Sequence, residues 1–392
     1  MSVNFSKKSS KVKASEIREM LKITESPDII SFAGGLPAPE SFPVEEIREI
    51  CTEVLSTQGA KALQYGTTEG YAPLRRQIAE MLCSKGINVQ AADILITSGS
   101  QQGLDLTGKV FIDEGDIVIC ESPTYLAAIN AFRAYMPDFV EINMDDDGMI
   151  MEELERAITD NPAAKFIYTI PDFQNPSGRT MSLERRQKLI ELAVKYDMLI
   201  IEDNPYGELV FEGEGIAPVK SLDECGRVIY MGTFSKILSP GMRIGFVCAA
   251  QEILNKYILF KQSTDLHTST FSQIIASAYM EKYDIKKHIR KIIDMYSSRC
   301  SLMYETAKKE LPDYVRISRP NGGLFLWAEL PEHINTRVLL KKCLEQKVAF
   351  VPGGSFFPNG GRENTMRLNF SNMKEEMIIE GIKRLAKVLK DI

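Results

Sequence analysis

The chain has 392 residues, with 47 lysines and arginines against 53 aspartates and glutamates, a formal charge of −6 that excludes the basic surface of a nucleic-acid coat. Hydrophobic residues at 44%, charged at 26% and aromatic at 8% exclude disordered and fibrous classes and describe an ordinary globular chain. At about 150 residues per domain, this length suits one large domain with a satellite, or two to three domains.

In chain order, MSVNFSKKSSKVKAS is polar, carries Lys7, Lys8, Lys11 and Lys13 and has no apolar block, so it reads as a flexible arm and not as a secretory signal. No later run approaches the roughly 18 apolar residues of a membrane span, and no membrane partner is expected. From about residue 60 to 290, short apolar runs alternate with helical stretches. Strands are predicted at DILITSG (93–99), DIVICESP (116–123), KFIYTIPD (165–172), DMLIIEDN (197–204), RVIYMGTF (227–234) and IGFVCAA (244–250). Most lack polar alternation, as strands buried on both faces do. Between them, LERRQKLIELAVKYD (183–197) places Leu183, Leu189, Ile190, Leu192, Ala193 and Tyr196 at helical spacing, with Ser182 as N-cap. Strands alternating with helices predict an α/β fold with a mostly parallel, helix-covered sheet.

The last hundred residues read as a smaller α+β unit: a helix around 284–310, the segment VRISRPNGGLFLWAEL, a helix at 336–347, short strands and a terminal helix. The expected division is an N-terminal arm and segment (1–45) packing with the small unit, a large domain (46–289) and a small domain (290–392). The seven cysteines are scattered and form no C-x-x-C pair, which fits reduced thiols in a cytoplasmic chain. Three histidines, none near a cysteine or in H-E-x-x-H spacing, leave a metal site without ligands and a Ser-His-Asp hydrolase unsupported.

Open parallel sheets bind ligands beyond the carboxyl ends of their strands, and the residues there are rich. DILIT is followed by Ser98-Gly99-Ser100-Gln101-Gln102-Gly103 and a helix, which suits an anion such as phosphate. Later strands lead into Pro123-Thr124-Tyr125, Phe173-Gln174-Asn175-Pro176, Glu202-Asp203-Asn204-Pro205-Tyr206 and Gly232-Thr233-Phe234-Ser235-Lys236, with Arg243 seven residues on. Singly, each has a bland reading as turn, cap or surface group. Together they order a phosphate cup, an aromatic face, an amide, a carboxylate, a phenol and a lysine along one rim.

That constellation resembles the fold-type-I pyridoxal-phosphate aminotransferases. The likeness runs from FAGGLPAPESFP (32–43) through QYGTTEGYAPLR (64–75), TSGSQQGLDL (97–106), QNPSG (174–178), EDNPYGEL (202–209) and TFSKILSPGMRIG (233–245) to RPNGGLFLW (319–327), PGGSFF and MRLNF. Within the family it looks most like the branch of 2-aminoadipate and kynurenine aminotransferases. The resemblance implies pyridoxal 5′-phosphate as cofactor, with Lys236 as Schiff-base lysine and proton carrier, and Asp203 as partner of the pyridine nitrogen. It implies Asn175 and Tyr206 as donors to the ring hydroxyl oxygen and Tyr125 as the stacking ring. Ser100, Gln101, Thr233, Ser235 and Arg243 would hold phosphate. By the same resemblance Arg367 grips the substrate α-carboxylate, Gly34 and Gly35 line the substrate pocket, and Arg18 on an N-terminal helix reads acidic side chains. Tyr65 matches a tyrosine that reaches the neighbouring subunit's phosphate, which implies a homodimer with sites at the interface.

Two motifs are set aside. Gly103 stands where relatives commonly have alanine, a change expected to matter little beyond local helix stability. Gly103-x-x-x-x-Gly108-Lys109-Val110 mimics a nucleotide P-loop but ends in valine, so the hydroxyl that would hold magnesium is missing. His267 and the methionines are assigned to packing. The expected activity is transfer of an amino group between an α-amino acid and a 2-oxo acid by a ping-pong cycle. Alternatives are another pyridoxal-phosphate reaction, such as elimination, decarboxylation or racemisation, and a ligand-sensing module of a transcription regulator. About thirty residues before FAGGLP leave little room for a DNA-reading domain.

Overall fold

The computed structural model describes residues 4–11 and 28–392. Its strands are β1 (Ile30–Ser31), β2 (Ile94–Thr97), β3 (Ile117–Ser122), β4 (Asp138–Asp145), β5 (Gly148–Met149), β6 (Phe166–Thr169), β7 (Leu199–Asp203), β8 (Val228–Thr233), β9 (Gly245–Cys248), β10 (Arg316–Ile317), β11 (Phe325–Glu329), β12 (Val348–Ala349), β13 (Val351–Pro352) and β14 (Thr365–Asn369). One eight-stranded sheet runs β2-β9-β8-β7-β6-β3-β4-β5. Pairing is parallel from β4 through β3, β6 and β7 to β8, and antiparallel where β9 inserts between β8 and β2. The strand order turns back between β3 and β6, which is the crevice where open α/β sheets take ligands.

β2, β3, β6, β7, β8 and β9 lie where continuous apolar runs predict strands. The additions are the two-residue β5 and the longer β4. The side chains of β4 are partly exposed over Phe139–Glu141 and alternate buried and exposed from Ile142 to Asp145, because one face is open to solvent near the sheet edge, so it carries no unbroken apolar run. The helix Leu183–Lys195 starts at Ser182, whose hydroxyl accepts from Arg185 N at 3.4 Å. It stops two residues earlier than periodicity suggests, because Asp197 turns left-handed at φ +59°.

A four-stranded antiparallel sheet, β10-β11-β14-β13, builds the C-terminal part, with the helices Ile285–Glu310 and Glu375–Lys390 packed together beside it. The segment after residue 28 joins this part: β1 pairs with β12, Phe32 N donates to Ala349 O at 2.8 Å and Asn369 N donates to Phe32 O at 2.8 Å. Arg299, buried on the long helix, clamps Glu40 and Glu375. This threading carries Ala33 to Leu36 across the mouth of the crevice.

Candidate active site

At the end of β2 the chain must turn into the helix Ser100–Phe111 within two residues. Gly99 does this at φ +76°, and a Cβ there would lie 2.4 Å from Arg243 Nη2, so glycine is demanded by backbone and space alike. Gly245 serves the same approach from β9, since its Cβ would meet the backbone of Gly99 at 2.6 Å. Arg243, itself left-handed at φ +55°, donates from Nη2 to Ser98 O at 3.1 Å. Thr233 donates to Ser235 Oγ at 2.9 Å, and Ser100 Oγ donates to Gly232 O at 3.3 Å. Hydroxyls, a guanidinium and a helix N-terminus thus share one cup, a donor set that suits a phosphate dianion.

Across the cavity, β7 ends on Asp203, buried at 1% exposure. Tyr168 on β6 donates to its Oδ2 at 2.9 Å, while Oδ1 is buried with no hydrogen-bond partner among the described residues. Burial pushes this carboxyl up to about 6, against the pull of the Tyr168 hydrogen bond. An acceptor oxygen left bare in a protein interior is costly unless a ligand donates to it. A cationic N–H is the best match.

Between cup and carboxylate, Lys236 Nζ donates to Gly35 O at 2.7 Å. Burial, then the charges of Arg367 and Arg243, brings its ammonium down to about 8, so a neutral, nucleophilic amine is accessible near neutral pH. Asn175 Nδ2 donates to Tyr206 OH at 3.3 Å, and Asn175 Oδ1 accepts from Arg367 Nη1 at 2.7 Å. Arg367, on β14, is 1% exposed, donates from Nη2 to Ala33 O at 2.7 Å, and lies over the Phe325 ring at 4.1 Å. Burial lowers its guanidinium to about 10. Its Nε is buried with no hydrogen-bond partner among the described residues.

The turns bearing these groups are braced from beneath. Glu121 of β3 accepts from Thr169 Oγ1 at 2.5 Å and Gln174 Nε2 at 3.0 Å, tying the ends of β3 and β6 to the Asn175 turn. Arg186, fully buried, pairs with Asp172, which accepts from Asn204 Nδ2 at 2.7 Å; Asn204 Oδ1 in turn accepts from Gly207 N at 2.8 Å.

One cavity of about 460 Å³ is lined by Gly35, Ser100, Gln101, Tyr125, Asn175, Asp203, Tyr206, Thr233, Ser235, Lys236, Arg243 and Arg367. The site residues singled out from the sequence are therefore on its wall, with three exceptions. Gly34 stands one residue before the wall at Gly35. Tyr65 is 78% exposed and stands on a separate groove with His267, and Arg18 lies outside the described residues. His267 does more than pack: its Nε2 accepts from Gly66 N at 3.3 Å and its ring meets Tyr65 edge-on. Leu36, Leu104, Ile170, Pro205 and Pro240 also line the cavity, and sequence reasoning passes over them because apolar wall and apolar core look alike. Tyr168 had a usable signal, since a tyrosine in a strand buried on both faces must find a partner for its hydroxyl. The P-loop mimic lies within the helix Ser100–Phe111. Gly103 lies in that helix against the sheet, where a Cβ would meet the side-chain atoms Met231 Sδ and Val247 Cγ2 at 3.2 Å each.

Residues 27–385 match the family model for aminotransferase class I and II. The chain is 52% identical to aromatic-amino-acid aminotransferase 1 of Thermococcus litoralis, over 99% of this chain and 94% of that one. Its fold superposes with TM-score 0.95 on Pyrococcus horikoshii kynurenine aminotransferase in complex with PMP, KYN and KYA, at 46% identity over 99% and 97% of the two chains. It also superposes with TM-score 0.93 on LysN, an α-aminoadipate aminotransferase from Thermus thermophilus complexed with N-(5′-phosphopyridoxyl)-L-leucine, at 40% identity over 99% and 97%. The chain belongs to the class I and II aminotransferases, and is a pyridoxal-phosphate enzyme of fold type I.

Proposed function

We propose that this aminotransferase accepts a broad range of α-amino acids, 2-aminoadipate, glutamate, aromatic and aliphatic ones among them, with a 2-oxo acid such as 2-oxoglutarate as partner. The observation that carries the cofactor chemistry is the bare Oδ1 of Asp203, a residue lining the same cavity as a depressed lysine and a polar anion cup; the breadth is supported by relatives named for aromatic amino acids, 2-aminoadipate and kynurenine. Those residues fit pyridoxal 5′-phosphate: Asp203 Oδ1 lacks the donor that a protonated ring nitrogen provides, and the cup matches the phosphate. Bound there, the cofactor supplies an aldehyde that takes up the amino group and a ring that draws electrons from Cα.

The chain's own groups have the remaining tasks. Ser100, Gln101, Thr233, Ser235 and Arg243 would anchor the phosphate, and Tyr125 would cover a ring face. Asp203 would keep the ring nitrogen protonated, with Tyr168 occupying the other carboxylate oxygen. Tyr206 OH and Asn175 Nδ2 would meet the ring hydroxyl. Arg367, with its unpaired Nε, would take the substrate carboxylate in a planar fork, beside Gly35. Lys236 Nζ, once free and neutral, would remove the Cα proton. Arg18 would read acidic side chains, and the enzyme would be a cytoplasmic homodimer of amino-acid biosynthesis. Seven free thiols support a reducing compartment, and the exposure of Leu63 at 74% and Tyr65 at 78% supports a face covered by a second copy.

A half-reaction screen tests the reading. The cofactor-loaded protein is given one amino acid at a time while the absorbance of the lysine-bound cofactor is followed. Glutamate, 2-aminoadipate and phenylalanine should each discharge it. A response to neutral amino acids alone would refute the role of Arg18, and turnover by Lys236→Ala would refute the site.

A further inference from the structure

Lys261, on the helix Gln251–Thr264, is fully buried although it touches neither the cavity nor any residue given a task above. Its ammonium donates to Gln102 Oε1 at 2.7 Å, to Asp265 Oδ1 at 2.8 Å and Oδ2 at 3.0 Å, and to Thr268 Oγ1 at 3.1 Å. Each of these acceptor residues is also bonded to Ser98. Gln102 Oε1 accepts from Ser98 N at 2.8 Å, Asp265 Oδ2 accepts from Ser98 Oγ at 3.1 Å, and Thr268 Oγ1 lies 3.2 Å from Ser98 Oγ. The remaining polar atom, Ser98 O, accepts from Arg243 Nη2. Ser98 is thereby held at its amide, its hydroxyl and its carbonyl, directly before the left-handed Gly99 that aims the helix N-terminus.

We propose that Lys261 is a positioning residue for the anion cup: through Gln102 and Asp265 its ammonium fixes Ser98, and so sets the place of the Ser100 and Gln101 amides and of the Arg243 guanidinium. A buried ammonium is expensive to keep unless its partners matter. An ion pair serving only the end of its own helix would need Asp265, four residues on, but not Gln102 from another helix. Burial pulls the ammonium down from its ordinary value, and the Asp265 carboxylate opposes that pull.

The proposal rests on the reading that the cup holds the cofactor phosphate, and the test separates the two. Full-length protein freed of cofactor is titrated with pyridoxal 5′-phosphate and with pyridoxal, which has the aldehyde and ring but no phosphate. Wild type, Lys261→Met and Asp265→Asn are compared, with circular dichroism as a check on folding. Lys261→Met should weaken pyridoxal 5′-phosphate by about tenfold or more and leave pyridoxal within about twofold of wild type. It should also shift the ³¹P resonance of the bound phosphate. Equal weakening of both ligands, or no weakening, overturns the positioning role. A wild type that binds pyridoxal as tightly as its phosphate overturns the reading of the cup itself. If Lys261→Met does not fold, Asp265→Asn, whose side chain is 28% exposed, must give the same phosphate-selective loss, and a non-selective loss there overturns the proposal.

Discussion

At the scale of single residues, Lys236 is governed by two competing environments. Burial and the charges of Arg367 and Arg243 bring its ammonium to about 8, whereas an unfolded chain would hold it at about 10.4. At pH 7 about a tenth of the side chain is then neutral, against well under a thousandth for an unshifted lysine. Covalent capture of pyridoxal 5′-phosphate by the cofactor-free protein should therefore speed up about tenfold per pH unit below pH 7 and level off above about 8. Stopped-flow absorbance checks this, and a rate still climbing at pH 9.5 would contradict it. The linkage sign follows. Because the folded value lies below the unfolded one, the native state holds fewer protons than the unfolded state between the two values. The lysine thus opposes folding below pH 8, and that opposition fades as pH rises towards the unfolded value. Residue chemistry of this kind is partly legible in sequence: a lysine three residues after a buried strand suggests a nucleophile, but nothing local reveals that two arginines stand close enough to depress it.

Elements set the geometry that those residues need. The turn between β2 and the helix Ser100–Phe111 works because Gly99 is left-handed and bare, with Arg243 Nη2 where a methyl would be. Gly99→Ala should cost about 1–3 kcal/mol of stability and weaken pyridoxal 5′-phosphate binding, because the guanidinium must move. Thermal unfolding and a cofactor titration measure both, and an unchanged affinity would show that Arg243 is not held by this turn. On the other side of the crevice, Arg186 on the helix Leu183–Lys195 links the ends of β6 and β7 through Asp172 and Asn204. Arg186→Met leaves Asp172 buried without its counter-charge and should lower stability by about 3–5 kcal/mol in urea unfolding. A loss under about 1 kcal/mol would mean that the remaining hydrogen bonds to Asp172 suffice. Strand positions were readable because buried parallel strands are continuous apolar runs. β4 was not, because one of its faces is wet.

For the whole molecule, the cavity wall comes from distant stretches of chain. Gly35 arrives because β1 pairs with β12, Asn175 and Asp203 because β6 and β7 are neighbours, and Arg367 because β14 lies in the second sheet. Tyr65 is exposed and does not line this cavity, so the shared-site homodimer proposed above has a sharp consequence. Lys236→Ala and Tyr65→Ala proteins, each impaired alone, should regain activity when unfolded and refolded together. Half of the dimers would be hybrids, each with one intact site, and about a quarter of wild-type activity should return. Absence of any recovery, with hybrids demonstrated by mass, would place Tyr65 outside a shared site.

What the sequence by itself determined is the set of chemical groups and their order along the chain. The residues from Ser100 to Lys236 follow their strands directly, and a parallel sheet brings successive strand ends to one rim whatever the details; Arg243 instead precedes the antiparallel β9 and meets that rim from the opposite chain direction. The tertiary structure alone decided the environments: the bare oxygen of Asp203 opposite Tyr168, the pairing of Arg367 with Asn175, and the buried ammonium of Lys261 beneath Ser98. Those depend on desolvation and on contacts between residues far apart in the chain. Composition and spacing do not encode them, because a charge is shifted by what surrounds it in space and not by what precedes it in sequence.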